Sequence, residues 1–152
     1  MKILVVSDSH GNKTSLDRVI LKEKPDAIIH LGDGCRDFPQ EFNIPLYRVR
    51  GNCDMFSEDI PVIDSVDIGG IKILFTHGHK HNVKFNTTSI YFYALEENAQ
   101  LALFGHTHMP FISSSDNGPT LFNPGSLLHP PYSYGIFFVK DGKLICQHHS
   151  LE

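Results

Sequence analysis

The chain has 152 residues and a formal net charge of −4, with 41% hydrophobic and 20% charged residues. This length and composition indicate one globular domain with a continuous core, and the negative charge argues against a general nucleic-acid-binding surface. The apolar run at the start is short and meets Asp8 and His10 at once, so we expect neither a signal peptide nor a membrane span and predict a cytoplasmic protein.

The first part of the chain alternates predicted strands with helical segments. Residues 3–7 form an apolar run, and Leu16 to Ile20 show helical spacing that Pro25 ends. Further buried-type strands are predicted over 27–31 and 46–49. Such alternation is typical of a parallel sheet that is covered on its faces.

The second part of the chain begins with a predicted hairpin, in which Gly69 and Gly70 join strands over 62–68 and 71–76. A helix over about 88–98 and a strand over 101–104 follow. Four more strands are separated by turns in DNGP and DG, at residues 111–114, 120–123, 134–139 and 143–148. We therefore predict an α/β fold, a four-layer αββα sandwich of two mixed sheets flanked by helices. The domain spans residues 1–150, and Leu151 and Glu152 are interpreted as a remnant of an expression vector.

Residue types that bind metals follow five of the predicted strands, at the point where each strand ends. They are Asp8 and His10, Asp33, Asn52, His77, and His106 with His108. Loops after the carboxyl ends of strands converge in open α/β sheets, so we expect these side chains to share one cleft. Each motif alone is weak, because DxH and GD are commonly capped turns and GHTH can be two exposed loop histidines. The conjunction of all five carries the prediction.

The residue types also select a chemistry. Imidazoles, carboxylates and one amide suit Mn, Fe, Ni or Zn better than Ca or a structural zinc cage. Seven ligands give about four to each of two ions only if one is shared, and the Asp33 carboxylate is the natural bridge. Two ions about 3.5 to 4 Å apart would activate a bridging water for in-line attack at phosphorus. The expected reaction is therefore phosphoester hydrolysis.

The five motifs, in this order and over nearly the whole chain, resemble the signature of the calcineurin-like metallophosphoesterase superfamily. Cys53 after Asn52 and the NPGS sequence at 123–126 are similar to its small bacterial and archaeal phosphodiesterase branch. The resemblance implies the four-layer sandwich and a dinuclear site, with Mn as the leading metal and Ni, Fe or Zn as alternatives. It assigns Asp8, His10, Asp33 and His108 to one ion, and Asp33, Asn52, His77 and His106 to the other.

The cysteines raise the question of a reactive thiol. Cys35, Cys53 and Cys146 are odd in number and widely spaced, which predicts free thiols rather than a disulfide framework. In the wider superfamily a histidine that can donate a proton commonly follows the ligand Asn, whereas this chain has Cys53. A thiol is a poorer acid near neutrality than imidazolium. We therefore interpret Cys53 as lining the site, with a nucleophilic thiol as the alternative.

Another residue must then protonate the leaving group, or leaving groups of low pKa are favoured. His79 and His81 are the candidates, and the alternative is that HGHKHN is a solvated loop. Asp54 either orients a neighbouring histidine or caps a turn. The candidate catalytic residues are thus Asp33, Asn52, Cys53, Asp54 and His79. His30 lies within a predicted strand and is interpreted as a core residue, and Lys80 and Lys84 either attract anions or are solvated loop charges.

The leading function is a metal-dependent phosphodiesterase that acts on a small or nucleotide-like diester. A phosphomonoesterase with the same site is the alternative among enzymes. A non-catalytic protein-binding scaffold is the alternative from another class, because the superfamily includes a subunit of the retromer trafficking complex. The expected partner is a small-molecule phosphoester, without a membrane. The net charge disfavours nucleic acid, and single strands or nucleotides bound by a local positive patch stay the alternative. A homo-oligomer is compatible with the sequence because symmetric assemblies are common.

Overall fold

The computed structural model describes residues 1–39 and 41–152, which form ten strands and two α-helices. The first half contains β1 (Lys2–Val6), α1 (Lys13–Glu23), β2 (Ala27–His30), β3 (Leu46–Arg48), β4 (Ile63–Ile68) and β5 (Ile71–Thr76). The second half contains a short 3-10 turn (His79–His81), α2 (Thr88–Glu96), β6 (Leu101–Leu103), β7 (Pro110–Ser113), β8 (Thr120–Pro124), β9 (Tyr132–Lys140) and β10 (Lys143–Leu151). Each predicted strand and helix has a counterpart, with ends that differ by a few residues.

The strands form two mixed five-stranded sheets. The first has the order β10-β9-β1-β2-β3, with β1, β2 and β3 parallel and β9 antiparallel to both β1 and β10. The second has the order β4-β5-β6-β8-β7, with β5, β6 and β8 parallel and antiparallel strands at its two edges. The strands that start the functional loops therefore point the same way within each sheet.

The four layers follow from where apolar side chains pack. The faces of the two sheets meet in one core, which includes Ile3, Ile29, Phe75, Phe122 and Phe137, all essentially inaccessible to solvent. Helix α1 covers the outer face of the first sheet, and α2 covers the outer face of the second. The predicted αββα sandwich is confirmed.

The ends of α1 show how local sequence sets an element. The Asn12 side chain accepts a hydrogen bond from the Ser15 backbone N–H at 3.2 Å, which caps the first turn. Lys24 closes the helix in the left-handed region with φ 46°, immediately before Pro25. Leu16 and Val19 face inward and are fully buried. The helix is thereby fixed against the outer face of the first sheet.

Two expectations need correction or comment. In the described part of the segment between β2 and β3 no helix occurs, so the strict alternation of strands and helices is wrong there; Pro39 and Pro45 interrupt that segment. Strand β10 runs to Leu151, which pairs with Tyr132 and is buried against the core under α1. Over residues 1–39 and 41–152, neither helix has the length and apolar character needed to cross a bilayer.

Candidate metal centre

Five loops at the carboxyl ends of strands meet at one edge of the sandwich. Three follow β1, β2 and β3 in the first sheet, and two follow β5 and β6 in the second. Backbone hydrogen bonds join them: the Asp8 N–H donates to the Gly32 carbonyl at 3.0 Å, and the Gly105 N–H donates to the His77 carbonyl at 2.9 Å. The loops of each sheet are therefore held in register before any side chain is considered.

The first group of metal-ligating side chains consists of Asp8, His10 and His108, whose ligand atoms lie within 4.8 Å of one another. The Asp8 Oδ1 atom is 3.2 Å from His108 Nε2 and 3.7 Å from His10 Nε2. Asp8 is fully buried, whereas the two imidazoles are partly exposed. A buried carboxylate thus forms the floor of a group that opens to solvent.

The second group consists of Asp33, His77 and His106. The Asp33 Oδ2 atom is 3.2 Å from His77 Nε2, and His77 Nε2 is 3.1 Å from His106 Nδ1. His77 Nδ1 is 2.7 Å from the Leu31 carbonyl, to which it can donate only as N–H. That hydrogen bond orients the ring and leaves Nε2 directed at the carboxylate, as is common for metal-ligating histidines.

Asp33 is the link between the two groups. Its Oδ2 atom lies 3.2 Å from His77 in the second group and 3.7 Å from His10 in the first. The other oxygen, Oδ1, accepts a hydrogen bond from the Cys53 backbone N–H at 2.8 Å. The carboxylate is therefore fixed in a position from which it faces both groups.

The donor atoms of the first group fit a divalent cation. Asp8 Oδ1 and His10 Nε2 are buried, yet within the described residues neither has a hydrogen-bond partner. Buried polar atoms are normally paired, so an unpaired carboxylate oxygen beside an unpaired imidazole nitrogen points to a ligand. Carboxylate and imidazole are also the donors that divalent transition ions favour.

Backbone strain is concentrated at the same residues. Positive φ angles occur at Asp8 (53°), His10 (45°), Asp33 (54°), His106 (69°) and His108 (62°). A non-glycine residue rarely adopts this conformation, and such strain collects at functional sites because the surrounding structure must enforce it. These left-handed residues lie in three of the five loops, those that follow β1, β2 and β6.

The carboxylates of Asp8 and Asp33 make the floor of the site anionic. Burial opposes ionisation of Asp8, but the imidazoles of His10 and His77 outweigh it and lower its pKa. Burial likewise opposes ionisation of Asp33, yet the His77 imidazole lowers the pKa of that carboxyl. The Asp8 carboxylate in turn raises the pKa of His10, and Asp33 raises that of His77 against the effect of burial. The floor therefore attracts positive charge.

Two glycines permit close approach of the loops. A Cβ atom on Gly105 would clash with the Ser7 hydroxyl and lie 2.8 Å from Asp8 Oδ2. A Cβ atom on Gly51 would clash with Asp33 Oδ1 and lie 2.7 Å from the Asp33 nitrogen. The glycines of GHTH and RGNCD are thus required because the carboxylates occupy the space of a side chain.

Asp54 holds together the loops that follow β2 and β3, and within the described residues its carboxylate hydrogen-bonds to backbone N–H groups and to no histidine ring. Its Oδ2 accepts the N–H groups of Gly51 at 2.6 Å and Asp33 at 2.7 Å, and its Oδ1 accepts those of Gly34 at 2.8 Å and Cys35 at 3.1 Å. Burial opposes ionisation, but these four donors lower the pKa of Asp54. Of the two alternatives, the structure favours the cap over the orientation of a histidine.

Asn52 and Cys53 are exposed at the mouth of the site. The Asn52 amide nitrogen lies 3.5 Å from Cys53 Sγ. Cys53, His10 and Asp33 also form a third group whose ligand atoms lie within 4.8 Å of one another. Burial, together with the Asp33 carboxylate, raises the pKa of the Cys53 thiol, which disfavours the thiolate that a nucleophile needs.

The two candidate proton donors, His79 and His81, lie in different surroundings. The His79 ring centroid is 5.4 Å from that of His77 and 6.2 Å from that of His106, so His79 borders the second group. His81 instead lies against Tyr93 of α2, at 5.2 Å between ring centroids. The structure therefore places His79, and not His81, beside the second group, and the identity of the proton donor stays a prediction.

His30 is a satisfied core residue, as the sequence indicated. It is completely buried, accepts the Gly32 N–H at Nδ1 at 3.1 Å, and has Nε2 3.0 Å from the Ser9 hydroxyl. Burial lowers its pKa to about 4, so the ring is neutral at physiological pH.

Sequence analysis used NPGS only as a mark of family resemblance and did not assign a supporting role to Asn123 or Ser126. The buried Asn123 side chain donates to the Gly105 carbonyl at 3.1 Å and to the Thr107 hydroxyl at 2.9 Å. The Ser126 hydroxyl donates to the Asp8 carbonyl at 2.9 Å. The signal available in the sequence was a polar Asn and Ser pair directly after an apolar strand, at the same edge as the ligands.

Comparison with known proteins identifies the family. Residues 1–142 match the calcineurin-like phosphoesterase superfamily domain. The chain belongs to this superfamily. It is 35% identical over 134 residues to the probable metallophosphoesterase YsnB of Bacillus subtilis, an alignment that covers 86% of this chain and 77% of that protein.

Solved structures in this superfamily share the fold. A predicted phosphoesterase from Streptococcus pneumoniae has a TM-score of 0.82 and 28% identity, covering 98% of this chain and 88% of that one. An archaeal phosphodiesterase has a TM-score of 0.76 and 21% identity, covering 98% and 100%. Vps29 from Chaetomium thermophilum has a TM-score of 0.83 and 18% identity, covering 100% and 88%. The last two likenesses concern the fold alone.

Proposed function

We propose that this metallophosphoesterase is a metal-dependent phosphodiesterase that hydrolyses a small or nucleotide-like phosphodiester. The observation that carries the proposal is the position of Asp33, whose Oδ2 atom lies between His10 of one ligand group and His77 of the other. A carboxylate shared by two adjacent groups suits two divalent ions, for which we propose Mn²⁺.

The residues would hold the ions as follows. Asp8, His10, Asp33 and His108 are the proposed ligands of one ion, and Asp33, Asn52, His77 and His106 those of the other. Such ions supply Lewis acidity, lowering the pKa of water and neutralising charge on the phosphoryl oxygens. The remaining contributions come from the chain itself: orientation of the ligands, binding of the anion and proton transfer.

Orientation comes from the second layer of hydrogen bonds. The Leu31 carbonyl fixes the His77 ring, Asp54 fixes the backbone of Asp33, and Asn123 fixes the loop of His106. Partners of this kind hold metal ligands in their binding geometry, and their loss weakens metal affinity. We propose that all three act as positioning residues.

His79 is the proposed proton donor. Hydrolysis adds the water oxygen to phosphorus and breaks the bond from phosphorus to the ester oxygen, which must gain a proton on leaving. Burial and the neighbouring His77 lower the pKa of His79, so the imidazolium form is a minor species near neutrality and a strong acid when formed. Good leaving groups are therefore expected to depend little on His79.

The charge around the centre suits an anionic phosphoester. In the described part of the chain, Arg50, Lys80 and Lys84 form no ion pair. Arg50 and Lys80 line a cavity with Asn52 and His79. Unpaired cations beside the proposed ligands would raise the local concentration of an anionic substrate, despite the net charge of −4.

Two alternative functions differ from a phosphodiesterase, one in its substrate and the other in having no catalytic activity. A phosphomonoesterase would use the same ligands with a dianionic substrate. A non-catalytic scaffold has the support of the likeness in fold to Vps29. The paired donor groups and the unpaired atoms on Asp8 and His10 favour the enzyme over the scaffold.

The test is hydrolysis of bis-p-nitrophenyl phosphate beside p-nitrophenyl phosphate, after metal removal and reconstitution with Mn²⁺, Ni²⁺, Fe²⁺ or Zn²⁺. We expect metal-dependent turnover with a higher kcat/KM for the diester. Asp8→Asn should abolish turnover, whereas the exposed Asp59→Asn should leave it unchanged. Faster monoester turnover would reassign the protein as a phosphatase, and no turnover with metal bound would favour the scaffold.

A further inference from the structure

A cavity of about 570 Å³ lies beside the GHTH loop, on the side of the second sheet. Val83, Phe104, Met109, Pro110 and Phe111 give it apolar walls. Its volume falls within the range of about 300 to 1,000 Å³ that is usual for small-molecule sites. Two of the other cavities at this edge, which contain Arg36 and Arg50 respectively, have more charged linings.

The cavity adjoins the candidate metal centre through two residues. Thr107 lines it and stands between the proposed ligands His106 and His108. Lys84 also lines it and forms no ion pair within the described residues. An unpaired positive charge therefore borders the cavity that Thr107 shares with the candidate metal centre.

The apolar walls suit a flat ring. Phe111 is 38% exposed and packs on the buried Phe104, with ring centroids 5.9 Å apart at an interplanar angle of 56°. Met109 is 68% exposed, so its thioether is available to a bound group. Aromatic faces and a polarisable sulfur are favourable neighbours for aromatic rings.

A few polar groups border the same space and could fix the orientation of a ring. Asn86 and Thr87 line it just before α2. The Asn86 Oδ1 accepts the Thr88 N–H at 3.1 Å, which holds the Asn86 side chain in place. The Thr107 hydroxyl is held by Asn123 at 2.9 Å. Apolar walls with a small number of placed polar groups are typical of sites for organic ligands.

We infer that this cavity is the subsite for the non-leaving ester arm of the phosphodiester, where that arm is aromatic or heteroaromatic, such as a nucleoside. The inference rests on the proposed function for the placement of the phosphate. With the phosphorus at the metal centre, Lys84 lies on the side of the cavity and the non-leaving arm enters it past Thr107. A monoester has no non-leaving arm, so the cavity would confer selectivity for diesters.

The first test compares arms of different size in the metal-loaded full chain. Met109→Asp places a charge in the apolar wall. It should lower kcat/KM for bis-p-nitrophenyl phosphate at least about tenfold more than kcat/KM for methyl p-nitrophenyl phosphate. A tenfold difference corresponds to about 1.4 kcal/mol in transition-state binding. Met109→Leu should retain the preference. Ile112→Asp is the matched control, because Ile112 is 47% exposed and does not line the cavity.

The second test measures binding without hydrolysis. Adenosine carries no ester bond, so it can be titrated calorimetrically into the Mn²⁺-loaded full chain, with ribose as the control that lacks the base. We expect adenosine to bind and ribose not to bind, and Met109→Asp to weaken adenosine binding at least about tenfold. Ile112→Asp should bind adenosine as the parent does.

The outcomes separate this inference from the proposed function. Diester hydrolysis in which Met109→Asp affects both diesters equally, or adenosine binding that Met109→Asp leaves unchanged, would overturn the subsite. Adenosine binding that depends on Met109, in a protein that hydrolyses no diester, would support the aromatic site and contradict the phosphodiesterase.

Discussion

Replacement of Asp54 by asparagine tests whether this residue acts by holding the loops. Each carboxylate oxygen accepts two backbone N–H groups, from Gly34 and Cys35 at Oδ1 and from Asp33 and Gly51 at Oδ2. An amide keeps one acceptor oxygen, while its NH₂ group must face two N–H donors that it cannot satisfy. Asp54→Asn therefore removes two charge-assisted hydrogen bonds with little change in volume.

The expected loss of stability is about 3 kcal/mol. A hydrogen bond to a charged group contributes about 1.5 to 3 kcal/mol, so two lost bonds set an upper range of about 3 to 6 kcal/mol. Asp54 is only half-buried, so water can replace part of what is lost and the lower end applies. Since domains of this size are stable by about 5 to 15 kcal/mol, the variant should still fold.

The assay is urea unfolding of the metal-free protein at pH 7, followed by far-UV circular dichroism. Metal removal matters because a bound ion would itself stabilise the native state. The control is Asp59→Asn: Asp59 is exposed and, among the described residues, forms an ion pair with Arg36 alone, so a change within about 1 kcal/mol is expected. Equal stability of the two variants would refute the role of Asp54 in holding the loops, and turnover lost without a loss of stability would indicate a catalytic role.

Three further predictions concern single side chains. His30 is neutral when folded and has a pKa of about 4 against 6.5 for an unperturbed ring, so protonation of the unfolded state should destabilise the metal-free protein by about 2 kcal/mol between pH 7.5 and pH 5. Between these two pH values, the difference in free energy of unfolding between the parent and His30→Asn, measured in urea, should narrow by that amount. An unchanged difference would contradict a neutral His30 in the folded protein. Cys53→Ala should keep kcat/KM for bis-p-nitrophenyl phosphate within about threefold, because the thiol is neither deprotonated nor needed as nucleophile; complete loss with metal retained would restore the nucleophilic thiol. His79→Asn should slow hydrolysis of diphenyl phosphate about a hundredfold and that of bis-p-nitrophenyl phosphate much less, and equal losses would exclude His79 as the proton donor.

The fold was accessible from the sequence because its signals are local and agree with one another. The apolar run of β1, the turn at Gly69 and Gly70, and the buried face of α1 each predict the element that forms. The convergence of the loops follows from one general rule about strand ends. The pairing of β8 with β6 in parallel was not specified, because register between distant strands depends on packing that no local pattern encodes.

The candidate site also contains some residues that the sequence pattern predicts and others that depend on tertiary packing. Residues that follow strands directly, such as Asp8 and His77, were found because their position in the pattern is itself the signal. The separation of His79 from His81 was not found, since it depends on how one short turn is oriented against α2. Asn123 was also missed as a support, because its partners Gly105 and Thr107 are distant in sequence.

We propose that hydrolysis of a phosphodiester requires two divalent ions, with Asp33 as a ligand that both would share. The most direct measurement is equilibrium dialysis of the metal-free chain against Mn²⁺, with bound metal and bis-p-nitrophenyl phosphate turnover determined on the same samples. We expect two ions per chain at saturation and turnover that rises as the second ion binds. Asp33→Asn should lose both saturation at two ions and turnover. Saturation at a single ion, or turnover that persists in the metal-free chain, would contradict this proposal.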